Sequence, residues 1–248
     1  MYWMISAVRT HKGNVRENNE DNFYMDGTYA QIEETGAGCA HRRFSKDDFQ
    51  VYAVCDGMGG CDLGEAAAYA VVSNLNHLKT LLKTTGKKSI PTQIKSFLEL
   101  MNAKCREIAS QTDANNTVSG CTVCMVCIGK KNIYIANAGD SRVYLWKNKK
   151  LTQMTYDHKY AQNVLTQYIG TPENYVFEPY ISTPFRIKKG DAFVLCSDGL
   201  TDMLGDGNIS EKLSQLGDPA EICKSLTLEA LSNGGSDNVT VMVLKCID

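Results

Sequence analysis

The sequence predicts an α+β fold built from antiparallel sheets. Strand-like runs outnumber helical ones and follow one another through short turns. Two long amphipathic helices interrupt the early strands, and two shorter helices precede a last strand. Consecutive strands joined by tight turns pair antiparallel, whereas a doubly wound parallel sheet needs a crossover helix between strands. Two facing sheets with helices outside would bury the apolar stripes of those helices. Composition alone does not select this packing over others.

The strand expectations are 2–9, Asn22–Met25, Phe49–Cys55, 122–128, 132–136, Arg142–Lys147, 176–183, Ala192–Cys196 and 238–246, most of them alternating or rich in β-branched residues. The polar, glycine-containing stretch 35–46 reads as a surface loop between two strands. Ile94, Phe97, Leu98, Met101, Cys105 and Ile108 recur at three- and four-residue steps, one face of a helix. Ahead of them, 65–82 is Ala-rich and broadly apolar, with Asp62 and Gly64 near its start. Shorter helices are expected at 160–168, 209–216 and 219–231, the last with Pro219 in its first turn and Asn233-Gly234 after its end.

A chain of 248 residues, 43% of them hydrophobic, can bury one large or two small cores. No repeat or Pro/Gly/Ser linker divides it, so one domain over 1–248 is expected. A net charge of −2 gives no electrostatic reason for a nucleic-acid partner. No run of about 18 apolar residues exists to span a membrane. The apolar start, Met1 to Val8, lacks the basic opening and the length of a signal peptide, and reads as a first strand. Ten cysteines are many, yet Cys55, Cys124, Cys196 and Cys246 lie inside strand-like runs, where a reduced thiol acts as a small hydrophobe. The expectation is a cytoplasmic monomer.

Four acidic stretches carry the chemistry: Asn19-Glu20-Asp21, Cys55-Asp56-Gly57-Met58-Gly59-Gly60, Cys196-Ser197-Asp198-Gly199 and Gly235-Ser236-Asp237-Asn238. Any one Asp-Gly is ordinarily a turn. Several carboxylates at the ends of strands distant in sequence, converging on one place, instead make a cage for hard cations. All the candidate ligands are oxygens, which suits Mg²⁺ or Mn²⁺ better than Zn²⁺. Two such ions about 3.5–4 Å apart can share a water, lower its pKa and aim it at phosphorus. Three carboxylates against two dications leave a positive balance that attracts a phosphate dianion.

The motifs Gly13-Asn14-Val15-Arg16-Glu17-Asn18-Asn19-Glu20-Asp21, Asp56-Gly57-Met58-Gly59-Gly60, Ser119-Gly120-Cys121-Thr122, Asn137-Ala138-Gly139-Asp140-Ser141-Arg142, Leu151-Thr152 with Asp157-His158, Leu195 to Asp202, and Asp237-Asn238-Val239-Thr240 run in one order from Gly13 to Thr240. In this the chain resembles the protein phosphatase 2C family, in its compact bacterial form. The resemblance implies a four-layer α-β-β-α sandwich of two antiparallel sheets flanked by helix pairs. It also implies hydrolysis of phosphoserine and phosphothreonine on proteins, opposing a serine/threonine kinase, by a hydroxide bridging two Mn²⁺ or Mg²⁺ ions. Asp56 would bridge both ions, the Gly57 carbonyl would touch one, and Asp198 and Asp237 would hold the other. Glu20 and Asp21 would act mostly through coordinated waters, and Arg16 would grip the phosphate. Asp140 stands between two readings, ligand of a third ion or turn residue capping Arg142.

Two departures stand out. Where eukaryotic relatives carry a histidine after Asp-Gly, this chain has Met58, whose thioether donates no proton, so water must protonate the leaving alkoxide. The flap subdomain of bacterial relatives looks largely absent near 159–170, which would open the site and leave substrate choice to other loops such as 35–46. The alternative to an enzyme is a non-catalytic signalling module on the same scaffold, against which the intact Asp56, Asp198 and Asp237 weigh. Cys121, Cys124 and Cys127 suggest a metal ligand set, but residues three apart on a strand face opposite ways, so core packing is favoured. Residues 57–64 lack the Lys-Ser/Thr of a nucleotide loop. His158 is expected to be structural, and His11, His41 and His77 have no motif partners.

Overall fold

Apolar alternation along the strands builds two antiparallel sheets. The first runs β10 (Lys150–Gln153), β9 (Arg142–Lys147), β14 (Ala192–Cys196), β15 (Val239–Cys246), β1 (Met4–His11) and β3 (Ala40–Ser45). The second runs β13 (Tyr180–Ile181), β8 (Ile133–Ala138), β7 (Val123–Gly129), β4 (Phe49–Cys55) and β2 (Asn22–Met25). Two short ribbons pair β5 (Gly57–Met58) with β6 (Gly120–Cys121) and β11 (Lys159–Ala161) with β12 (Val164–Leu165). This computed structural model describes residues 1–31, 39–59, 63–111, 119–161, 164–215 and 217–248.

The sheets face each other across Met4, Val8, Phe23, Tyr52, Val54, Val126, Phe193, Leu195 and Met242, all buried. Outside the second sheet lie α1 (Leu63–Thr84) and α2 (Ile90–Ser110), whose Leu75, Leu78, Ile94, Leu98 and Met101 close over Val51, Ala53 and Met125. Outside the first lie α3 (Asp198–Thr201), α4 (Asp206–Gln215) and α5 (Pro219–Ser232), which set Leu200, Ile209, Ile222 and Leu226 on Val194, Val241 and Val243. The result is the four-layer α-β-β-α sandwich. Each fully buried leucine or isoleucine of these interfaces contributes about 1.5–3 kcal/mol relative to exposure. At the start of α5, Pro219 needs no amide partner and the Asp218 carboxylate accepts from the Ala220 N–H.

The strand period sorts the cysteines as expected. Cys121 and Cys127 pack under the helices, and Cys124 points between the sheets. Among the described residues no helix is long and apolar enough to cross a membrane.

Three expectations need correction. Within 160–168 the described residues form the β11–β12 ribbon instead of a helix, and 162–163 lie outside them. The Thr166 N–H donates to the His158 carbonyl at 2.8 Å, and Ile169 and Cys121 exchange backbone bonds at 2.8 and 2.9 Å, so pairing overrides the helical pattern. Within 35–46, residues 40–45 are β3, an edge strand on β1 whose polar, outward side chains imitate a loop; 35–38 lie outside the described residues, as do Gly60, Asp62 and Leu216. In 176–183 the strand shrinks to Tyr180–Ile181, followed by Ser182, whose N–H donates to the Ile135 carbonyl at 2.8 Å.

One ionic knot ties α1 to the sheet beneath it. The fully buried Asp26 carboxylate meets Lys79 Nζ at 2.7 Å and accepts from Ser45 Oγ at 2.7 Å, while Lys79 also reaches Asp47 at 2.8 Å. Removing one partner strands a buried charge. Lys79→Met is expected to lower urea-derived stability by about 3 kcal/mol or more, with Lys79→Met/Asp26→Leu recovering part of it. A loss below about 1 kcal/mol for the single variant would contradict the buried-pair account.

Candidate active site

One end of the sandwich collects the acidic residues because the strands that carry them stop there. β4 ends at Cys55 and delivers Asp56, β14 ends at Cys196 and delivers Asp198 at the start of α3, and Asp237 stands just before β15. Glu20 and Asp21 lead into β2, and Asp140 sits in the β8–β9 turn. Together with Arg16, Gly57, Met58, Thr122, Leu165 and Asn238, all of these but Asp21 line a cleft of about 240 Å³. Asp21 lies beneath it, fully buried.

Neutral side chains aim the acids. The Asp56 N–H donates to Thr122 Oγ1 at 3.1 Å and its carbonyl accepts from the Thr122 N–H at 2.8 Å, with Ser141 Oγ 2.6 Å from Thr122 Oγ1. Ser197 Oγ donates to Asp21 Oδ2 at 2.8 Å and accepts from the Thr240 N–H at 3.0 Å. Asn238 joins the two ends of the chain. Its Oδ1 accepts from the Glu20 N–H at 2.8 Å, and its Nδ2 donates to the Asn18 and Lys12 carbonyls at 2.8 and 3.0 Å. The positioning roles of Thr122, Ser197 and Asn238 escaped the sequence reading, although all three lie inside its motifs.

Gly57 is required by close packing as well as by any ligand role for its carbonyl. A Cβ there would strike the Gly64 carbonyl and lie 2.6 Å from that of Glu20. Gly139, at φ 115°, leaves no room for a side chain against Thr122 Cβ and frees the turn that carries Asp140.

The electrostatics are those of crowded anions. Burial and the neighbouring Asp198 and Asp237 push Asp21 up to about 7 despite its hydrogen bonds. Burial and Asp140 push Asp198 up to about 6, although a hydrogen bond with Asp56 opposes this. Burial and the surrounding aspartates hold Asp56 well above the ordinary carboxylate range. Asp21 Oδ1 is buried and accepts no hydrogen bond. Such a donor set wants positive charge.

The residues fit hard divalent ions in a particular way. Every acidic donor is an oxygen, but among the described residues no three His, Cys, Asp or Glu side chains close around one point. Ions held here would take one or two carboxylates each and complete their shells with water, as Mg²⁺ commonly does. Arg16 does not stand free over the cleft: its Nη2 donates to Asp237 Oδ2 at 2.7 Å, opposite charges meeting at a solvent-exposed rim. His158 takes a structural place, its Nδ1 accepting from the Gly139 N–H at 3.2 Å. A larger cavity of about 400 Å³ lies elsewhere, between Phe49, Leu82, Ile90 and Tyr134 under a rim of lysines, and gathers no set of convergent acids.

The family model for protein phosphatase 2C matches residues 19–164, which span Glu20, Asp21, Asp56 and Asp140. The chain belongs to the protein phosphatase 2C family. It is 30% identical over 259 residues to the serine/threonine protein phosphatase PstP of Mycobacterium tuberculosis, covering 98% of this chain and 45% of that protein. It is 27% identical to the serine/threonine phosphatase stp of Listeria welshimeri, covering 98% of this chain and 96% of that protein. The chain therefore spans less than half of the mycobacterial relative and nearly all of the listerial one. Among solved structures, the PstP catalytic domain in complex with two manganese ions superposes with a TM-score of 0.78 at 28% identity, covering 99% of this chain and 100% of that one. PppA, a regulatory component of the type VI secretion system in Pseudomonas aeruginosa, gives 0.80 at 26% identity, covering 100% of this chain and 99% of that one.

Two outcomes test this protein phosphatase 2C site. Asn238→Ala frees the Glu20 segment from the Asp237 loop and is expected to weaken Mn²⁺ binding about 10–100-fold by calorimetry; unchanged affinity would contradict its positioning role. Asp21, Asp56 and Asp198 hold protons more tightly folded than unfolded. The contribution of Asp21 and Asp198 to stability is complete below the unfolded value near 4 and is lost as pH rises through about 6–7, and that of Asp56 is lost in the same direction. The gain in melting temperature on adding Mg²⁺ should therefore be larger at about pH 8 than at about pH 5.5. His11 and His158, both lowered by burial, titrate with and without Mg²⁺ and cancel from that gain. An equal gain at both pH values would contradict the crowded-anion account.

Proposed function

We propose that this chain is a metal-dependent protein phosphatase that hydrolyses phosphoserine and phosphothreonine, opposing a serine/threonine kinase. The observation that carries the reading is the convergence of Asp56, Asp198, Asp237, Glu20 and Asp140 with Arg16 in one cleft at the end of a protein phosphatase 2C sandwich. The named serine/threonine phosphatases among its relatives support the substrate class. The manganese pair of the PstP catalytic domain supports a cofactor of two Mn²⁺ or Mg²⁺ ions.

In this reading Asp56 would hold both ions, the Gly57 carbonyl would touch one, and Asp198 and Asp237 would hold the other. Glu20 and Asp21 act through water. When bound, the ion pair supplies a water activated as nucleophile and positive charge for the phosphoryl oxygens. The chain's own part is to hold the carboxylates together at fixed positions through Thr122, Ser197 and Asn238. Arg16, 56% exposed at the rim, is long enough to exchange Asp237 for a phosphoryl oxygen, which a guanidinium grips with two parallel hydrogen bonds. Met58 offers no proton and among the described residues no histidine lines the cleft, so the leaving alkoxide takes its proton from water. With the flap of bacterial relatives taken as largely absent, Leu165 is the part of the described β11–β12 ribbon that lines the cleft, which supports a site open to protein substrates.

Asp198→Ala is expected to lower Mn²⁺-dependent hydrolysis of p-nitrophenyl phosphate and of a phosphothreonine peptide by about 10³-fold, while the fold stays intact by circular dichroism. EDTA should abolish turnover of the unsubstituted chain, and Mn²⁺ should restore it. Hydrolysis that persists in EDTA, or an Asp198→Ala variant as active as the parent, would defeat the proposal.

A further inference from the structure

Asp140 presents a charge problem of its own. Its side chain is 6% exposed, and its charge bears on both Asp56 and Asp198. A carboxylate so placed needs a cation nearby. The chain supplies one: Lys159 Nζ lies 3.3 Å from Asp140 Oδ2, with the lysine side chain 29% exposed.

The placement of that ammonium is built into the backbone. The His158 N–H donates to the Gly139 carbonyl at 3.0 Å, and the Gly139 N–H donates back to His158 Nδ1 at 3.2 Å. The residue before Lys159 is thus bonded twice to the residue before Asp140. On the other side, the Thr166 N–H donates to the His158 carbonyl at 2.8 Å and Lys159 pairs with Leu165, a residue of the cleft wall. The competing carboxylate is already taken: Asp157 accepts from Arg142 Nη2 at 2.6 Å, Arg142 Nε at 2.9 Å and Gln153 Nε2 at 2.8 Å. Among the described residues Lys159 makes an ion pair with Asp140 and with no other carboxylate.

We propose that Lys159 is a positioning residue that serves as an internal cation at Asp140, so that its ammonium fills the place of a third divalent ion. The six carboxylates of the site, Glu20, Asp21, Asp56, Asp140, Asp198 and Asp237, are then neutralised by Arg16, Lys159 and two divalent ions. A third ion would have to displace that ammonium from the one carboxylate it pairs with among the described residues. This inference rests on the two-ion reading of the cleft.

The test counts Mn²⁺ on the full chain by the electron paramagnetic resonance signal of the free ion during titration. The unsubstituted chain should take up about two ions, and Asp140→Asn should leave that number unchanged. Lys159→Gln should raise it to about three, and Lys159→Gln/Asp140→Asn should return it to about two. Lys159→Arg, which keeps the charge, should stay at about two. Three ions on the unsubstituted chain, a site lost in Asp140→Asn, or no added site in Lys159→Gln would overturn the role given to Lys159 alone. Failure of the unsubstituted chain to bind Mn²⁺ at all would instead overturn the two-ion reading beneath it.

Discussion

Mutual repulsion among buried carboxylates is the constraint on which the rest of this molecule turns. Asp21, Asp56 and Asp198 are each driven toward their protonated forms by burial and by the charge of neighbouring aspartates. A fold does not gather such groups for stability, because each costs free energy unless positive charge arrives. The sandwich holds them in place from outside the cluster, with two interleaved sheets and about three kcal/mol or less from each buried aliphatic side chain of its layers. It is a rigid frame around an unfavourable centre.

That frame explains which neutral residues matter. Asn238 bonds three backbone groups contributed by the Lys12–Glu20 segment, Ser197 bonds Asp21 and Thr240, and Thr122 bonds both backbone polar groups of Asp56. None of them needs to touch substrate. Their hydroxyl and amide groups are what prevents the acids from relaxing apart. Arg16 and Lys159 each add positive charge, one beside Asp237 at an exposed rim and one half-buried against Asp140.

Much of this was legible in the sequence where a local rule acts alone. Asn22–Met25, Phe49–Cys55, Arg142–Lys147 and Ala192–Cys196 appear with the bounds their alternation implied, because both faces of those strands are covered and any slip would expose apolar side chains. Cys121, Cys124 and Cys127 sorted by the two-residue period. Asp56 and Asp198 were legible because each ends a buried strand beside glycine, and Asp237 because it stands just before the last strand. What stayed hidden depended on partners. Ala40–Ser45 is polar and becomes a strand only because β1 offers it an edge, and 160–168 leaves its helical pattern because His158 and Cys121 offer it backbone bonds. Nothing in the sequence singles out Lys159, whose pairing with Asp140 depends on the backbone bonds between His158 and Gly139.

The most direct measurement is anomalous diffraction from Mn²⁺-soaked crystals at the manganese edge. The account predicts two peaks about 3.5–4 Å apart, with Asp56 between them and Asp198 and Asp237 beside one. Peaks outside the cleft, or an empty cleft at millimolar Mn²⁺ with the carboxylates in the same positions, would contradict it.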